Sequence, residues 1–227
     1  MSTAREDILG AVRRALSRGP LDAPASAALD TRIATPVRHL RPTFDEDLVA
    51  RFIRKLESRS GTAARVAGRA QVPAAVETFR STHGLARRAA VGAGLKDFDW
   101  PADWAIHHDR AGIEETLSVT PAFAAIAETG TLMLLASPES PTTHNFVPDN
   151  QVVVLETTRI LRHFEDAWAQ LRERTGGMPR AVNLVSGPSR TADIEQTIQL
   201  GAHGPRRLHV VLVDRWNVAG TCATEDH

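Results

Sequence analysis

The stretches VVVL at 152–155 and VVLV at 210–213 are apolar at every position, with no alternation of period two. A strand with one face in water alternates; a strand apolar on both faces needs cover above and below, as in a parallel sheet between other layers. Around these runs the pattern switches repeatedly. It reads as a short strand near Ala63 to Ala67, a helix around Val72 to Arg80, a strand near Arg88 to Val91 and another around Trp104 to His107. TLMLL, QVVVL, a helix carrying Ile160, Phe164, Trp168 and Leu171, the strand AVNLV and finally LHVVLV follow. Strands alternating with helices indicate an α/β fold with a mostly parallel sheet. The strands ending at Val91, Leu155 and Val185 and the one beginning near Leu208 are expected to share that sheet.

Ahead of this pattern, Ile8, Leu9, Val12, Ala15 and Leu16 are spaced for one helix, and a Pro/Ala/Asp-rich connector without clear period runs from Pro20 to Pro42. FDEDLVARFIRKLESRSG then places Leu48, Phe52 and Leu56 in one helical row, with acids in the first turn and Gly61 beyond the end. The expected division is an N-terminal helix and linker, 1–42, and an α/β domain, 43–227. With 227 residues and 42% hydrophobic content, the chain can bury a full core. Its 27 basic and 27 acidic residues balance, leaving no net field for nucleic acid. All the basic residues except Lys55 and Lys96 are arginine, a bias read as compositional because the arginines are scattered. One cysteine, Cys222, cannot by itself form an internal disulfide, a Cys-rich zinc site or a Cys-ligated iron-sulfur cluster. No apolar stretch approaches the length of a transmembrane segment, and a cytoplasmic location is expected.

Two loops carry candidate chemistry. In SGPSRTADIEQT, Gly187 and Pro188 form a turn after AVNLV, and Ser189, Thr191 and Asp193 are residue types that cap a helix or offer oxygens to a ligand. Capping alone explains them equally well, and an acid at a helix start competes with a bound anion for the same dipole. In AIAETGTLMLL, Glu128, Thr129, Gly130 and Thr131 interrupt an apolar passage, so Glu128 is a proton shuttle, a nucleophile or a hydrogen-bonded strut. His203, between glycines, is a further ligand candidate, although Gly201 and Gly204 also suit helix termination. VGAGLKD has Asp97 where the third glycine of a dinucleotide fingerprint belongs, which argues against NAD.

AIAETGTLML, QVVVLETTRIL and above all SGPSRTADIEQTIQLGAHGPRRLHVVLVD at 186–214 resemble the signatures of the lactate utilization protein C family, the LUD-domain proteins. The resemblance implies a three-layer α/β fold related to sugar-phosphate isomerases and CoA-transferases. It also implies a part in oxidising L-lactate to pyruvate beside two companion proteins that carry iron-sulfur clusters. No cofactor is expected in this chain itself. The ligand-binding residues suggested are Thr129, Gly130, Thr131, Gly187, Ser189, Arg190, Thr191, Asp193 and His203, with a small carboxylate or a partner segment as occupant and Glu128 as the catalytic candidate. Two roles stay open: an accessory or ligand-binding subunit, or a stand-alone enzyme in which Glu128 of Glu-Thr-Gly attacks a thioester, similar to the CoA-transferase nucleophile. Glu128 and the Ser189–Asp193 loop are expected to converge at the carboxyl edge of the sheet.

Overall fold

The computed structural model describes residues 3–17, 19–35, 40–174, 177–191, 199–201 and 203–216. The chain divides into two units, 1–42 and 43–227. In the first, α1 (Ala4–Ala15) opens on a capping box between Thr3 and Glu6. A second helix, α2 (Ala23–Ala34), occupies the stretch read from sequence as a linker. The Asp22 side chain accepts from the Ala25 amide at 2.7 Å, and Pro24 stands in the first turn, where its missing N–H costs nothing. Alanine's helix propensity therefore prevails where an apolar period is lacking. Neither helix has a buried residue.

The second unit begins with α3 (Leu48–Glu57), capped by Asp47, followed by β1 (Thr62–Gly68) and α4 (Val72–Thr82). Then come β2 (Arg88–Val91), β3 (Ala105–His107), β4 (Leu117–Pro121), β5 (Ala124–Ile126) and β6 (Thr131–Leu135). A four-residue helix α5 (Thr143–Phe146) leads into β7 (Asn150–Glu156), the short β8 (Ile160–Leu161) and α6 (Phe164–Glu173). The chain continues through β9 (Val182–Val185), β10 (Arg190–Thr191), β11 (Gln199–Leu200) and β12 (Arg207–Arg215).

Six strands form an all-parallel sheet in the order β1-β12-β7-β4-β2-β3. The apolar runs explain its centre. Val152 and Val154 of β7 and Val211 and Val213 of β12 point to one face, where α4 contributes Val72, Val76 and Phe79. Val153, Leu155, Val210 and Leu212 point to the other, against Phe52 and Leu56 of α3 and against Leu132 and Leu134 of β6. That second cover is partly a sheet: β8-β5-β6-β9, whose far side packs on Ala167 and Leu171 of α6. The fold is thus α/β around a mostly parallel sheet, as the alternation implied.

Three expectations need correction. The strand ending at Val185 lies in the smaller sheet, antiparallel to β6, and not beside β2, β7 and β12. It is an edge strand with Leu184 45% exposed, so its apolar run never required cover on both faces. Ile160 belongs to β8, and the helix expected around it starts only at Phe164. Thr191 is not a helix cap: Arg190 and Thr191 pair with Leu200 and Gln199 as a short antiparallel ladder. Residues 192–198, where a helix was expected, lie outside the described residues. Among the described residues, no helix is long and apolar enough to cross a membrane.

At the start of β12, His209 stacks on Phe79 with ring centroids 5.0 Å apart, and its Nδ1 lies 2.8 Å from the Thr62 hydroxyl. Burial, and secondarily the nearby His83, lower its pKa from 6.5 to about 4. The unfolded chain therefore binds a proton between these values that the folded chain refuses, so stability is full above 6.5 and declines as pH falls toward about 4. Urea denaturation at pH 7 and pH 5 is expected to show this loss in the wild type and a smaller one in His209→Gln.

Candidate functional site

The two signature turns lie at the amino edge of the parallel sheet, opposite to the expectation. The Ser189 amide donates to the Pro205 carbonyl at 2.8 Å, and the Arg206 amide to the Asp149 carbonyl at 2.7 Å; these residues immediately precede β12 and β7. Because β9 runs antiparallel to β6, the end of β9 meets the start of β6 there. The Thr131 hydroxyl lies 2.6 Å from the Ser186 hydroxyl and 2.7 Å from that of Thr129. The turns meet through a chain of three hydroxyls at Thr129, Thr131 and Ser186, in which neither Glu128 nor the loop from Ser189 takes part.

What holds them is α3 and the bend after it. Gly130 has φ +71°, and a Cβ there would sit 2.6 Å from the Leu56 backbone nitrogen. Gly187 has φ +126°, and its Cβ would sit 2.8 Å from the Arg59 carbonyl oxygen. Both glycines are required by a left-handed backbone and by close approach to another chain segment. The Arg190 guanidinium donates to the Ser60 hydroxyl beside them. Farther along, the His203 amide donates to Ser189 Oγ at 3.3 Å, so His203 meets the loop through its backbone. Asp193 lies outside the described residues.

Glu128 turns away from this chain of hydroxyls. Its carboxylate Oε2 is 2.9 Å from Nδ1 of His163, a residue 6% exposed that stands just before α6. The Glu128 amide donates to the Arg162 carbonyl, so backbone and side chain both tie the turn to the β8–α6 junction. This geometry fits the hydrogen-bonded strut; it equally orients a histidine through a carboxylate, with Nδ1 as the donor to Oε2. His163 was missed in the sequence, although a histidine before FEDAW, with Asp166 accepting from its amide at 3.1 Å, is a helix-start signal.

A second feature was also missed. Between the parallel sheet and α5, Gln151 donates to Thr120 Oγ1 at 3.1 Å and to Asn145 Oδ1 at 2.9 Å, and Ser118 donates to the His144 carbonyl at 2.6 Å. His144 is fully buried; its Nε2 is 2.6 Å from the Asp109 carbonyl, which can only accept, so that nitrogen carries the proton. Burial lowers the His144 pKa and keeps the ring neutral. These polar side chains fix α5 across the mouth of β4 and β7.

At the carboxyl edge, where open parallel sheets collect ligands, a cavity of about 490 Å³ is bounded by Pro121, Glu156 and Trp216, at the ends of β4, β7 and β12. It adjoins a second cavity of about 800 Å³ through shared walls at Leu135, Ser137 and Arg174. Glu128 and Thr191 line neither cavity.

Residues 116–213 match the LUD domain. An uncharacterized protein of Neisseria meningitidis serogroup B is 44% identical over 88 residues, covering 39% of this chain and 38% of that one. Lactate utilization protein C of Geobacillus kaustophilus is 31% identical over 139 residues, 55% of this chain and 58% of the relative. Its counterpart in Geobacillus thermodenitrificans is 30% identical over 131 residues, 52% and 55%. The chain thus matches little more than half the length of these named relatives. A crystal structure of a DUF162 family protein from Deinococcus radiodurans superposes with a TM-score of 0.58 at 22% identity, covering 76% of this chain and 99% of that one, and shares its fold.

Gly130→Ala tests the packing of the first turn. A left-handed alanine costs roughly 1–2 kcal/mol, and forcing its methyl against the α3 backbone adds about 1–3 kcal/mol. Denaturant unfolding should register a combined loss of about 2–5 kcal/mol, whereas Gly84→Ala, with φ +61° but open space around it, should lose only the conformational part.

Proposed function

We propose that this chain, whose residues 116–213 match the LUD domain, is a component of a lactate-utilisation system, acting as an accessory or ligand-binding subunit beside iron-sulfur partners. The reading is supported by the LUD match across β4 to β12 and by relatives named lactate utilization protein C. Oxidation of L-lactate to pyruvate releases two electrons and two protons, and the electrons need a redox carrier. One cysteine cannot supply the four thiolates of a cluster, so the clusters belong to the companions.

In this reading the amino-edge turns, Glu128–Thr131 and Ser186–Thr191, form the surface that holds a small carboxylate or a partner segment. Their hydroxyls and backbone are braced from behind by Gly130 and Gly187 against α3. The observation that carries the accessory role over a stand-alone thioester enzyme is the position of Glu128. Its carboxylate is taken up by His163 and borders neither cavity at the carboxyl edge, so it is poorly placed to attack a bound acyl group.

The test is reconstitution with two purified iron-sulfur companions and lactate-dependent dye reduction. Turnover is expected only when all three are present. Oxidation of lactate by this chain alone, or full turnover without it, overturns the proposal. In the same assay Glu128→Gln keeps a hydrogen bond to His163 but removes the charge. It is expected to lower turnover by about 100-fold if Glu128 assists proton transfer in the assembled system, with the melting temperature unchanged. Full activity would remove Glu128 from the site.

A further inference from the structure

The groove at the carboxyl edge has a charge pattern that a small monocarboxylate does not explain. Four arginines border its two cavities: Arg159 and Arg174 in the first, and Arg110, Arg174 again and Arg180 in the second. Arg159 is engaged, with Nε 3.4 Å from Glu156 and Nη1 3.3 Å from the Phe123 carbonyl. The other three have no ion pair among the described residues; Arg174 lies over the Phe123 ring, 5.4 Å from its centroid. Three guanidinium groups from the β3–β4 loop, the end of α6 and the approach to β9 thus face one concavity. All three residues are exposed, so their guanidinium groups are open to an anion that enters the concavity.

The walls determine the rest of the occupant. Beside the arginines, Ser137 closes a turn in which its Oγ accepts from the Ser140 amide at 3.1 Å, and Thr142 and Thr143 add hydroxyls. Thr143 Oγ1 is buried and has no hydrogen-bond partner. The adjoining cavity is different: Phe123, Leu135, Val154 and Trp216 give it an apolar and aromatic lining. We propose that the groove binds an organic diphosphate or polyphosphate, its phosphates among Arg110, Arg174 and Arg180 and a planar aromatic group against Phe123 and Trp216. Guanidinium forks match phosphate oxygens bidentately, and three of them suit two or more negative charges. The two volumes fall in the range of sites for ligands of this size.

The test uses the full-length chain and two probes, ADP and inorganic pyrophosphate, in isothermal titration. Both are expected to bind, ADP more tightly because only it carries a ring, and both more weakly as salt rises. Arg174→Gln and, separately, the exposed pair Arg110→Gln with Arg180→Gln should each weaken both probes by roughly tenfold or more. Their melting temperatures should stay near that of the wild type. Arg13→Gln in α1 should leave binding unchanged. L-lactate should not compete. Absence of binding by both probes at about 1 mM, binding indifferent to the arginine changes, or displacement of ADP by equimolar L-lactate overturns the proposal. These outcomes are read without the companion proteins, so they stand apart from the lactate assay.

Discussion

Everything in the second unit depends on the pairing of β12 between β1 and β7. Residues 210–213 are buried on both faces, and each face commits a different layer: α4 on one side, α3 with the smaller sheet on the other. A strand of this kind is stable only once both covers are present, because its main-chain groups bond to two neighbours while its side chains leave water on both sides. Its position is also topological. β12 is the last strand among the described residues yet sits beside β1, so the sheet closes only when residues nearly 150 apart meet, as in the register of Thr62 with His209.

That closure gives the two edges of the sheet different characters. At the amino edge, the turns before β12 and β7 are tied to the Ser189 loop by backbone bonds, and Gly130 and Gly187 lie directly on α3 and its following bend. Thr131 is buried at the join, and the half-buried Thr129 and Ser186 each bond to its hydroxyl. At the carboxyl edge β4 and β7 both lead into the smaller sheet, through β5 and β8, and a gap opens beside these crossings. The gap is the arginine-bordered groove. A buried polar layer of Ser118, Thr120, Asn145 and Gln151 fixes α5 beside it, rigidifying one wall through hydrogen bonds that a purely apolar contact would not orient.

Much of this was legible in the residues. VVVL and VVLV required a covered parallel sheet, the row Leu48, Phe52 and Leu56 required α3, and the Glu-Thr-Gly-Thr and Ser-Gly-Pro-Ser turns were visible as polar breaks between apolar strands. These are local signals, determined by the period of the side chains along the backbone and by what glycine and proline permit. The partner of Glu128 was not legible, because His163 lies 35 residues away and meets it only through the pairing of β5 with β8. Nor was the groove: Arg110, Arg174 and Arg180 belong to three separate loops and looked like compositional scatter.

The same apolar composition that promised a doubly covered strand at AVNLV was compatible with an edge strand, and only the antiparallel pairing with β6 decided between them. That single choice moved the Ser189 loop from one edge of the sheet to the other. The sequence by itself determined which segments are strands, which faces must be buried and where the backbone turns, since these follow from side-chain period and steric limits within a few residues. Only the tertiary structure decided strand neighbours, strand direction and the convergence of charges from distant loops. Those depend on long-range packing, in which one segment's surface is defined by another that the local pattern does not contain.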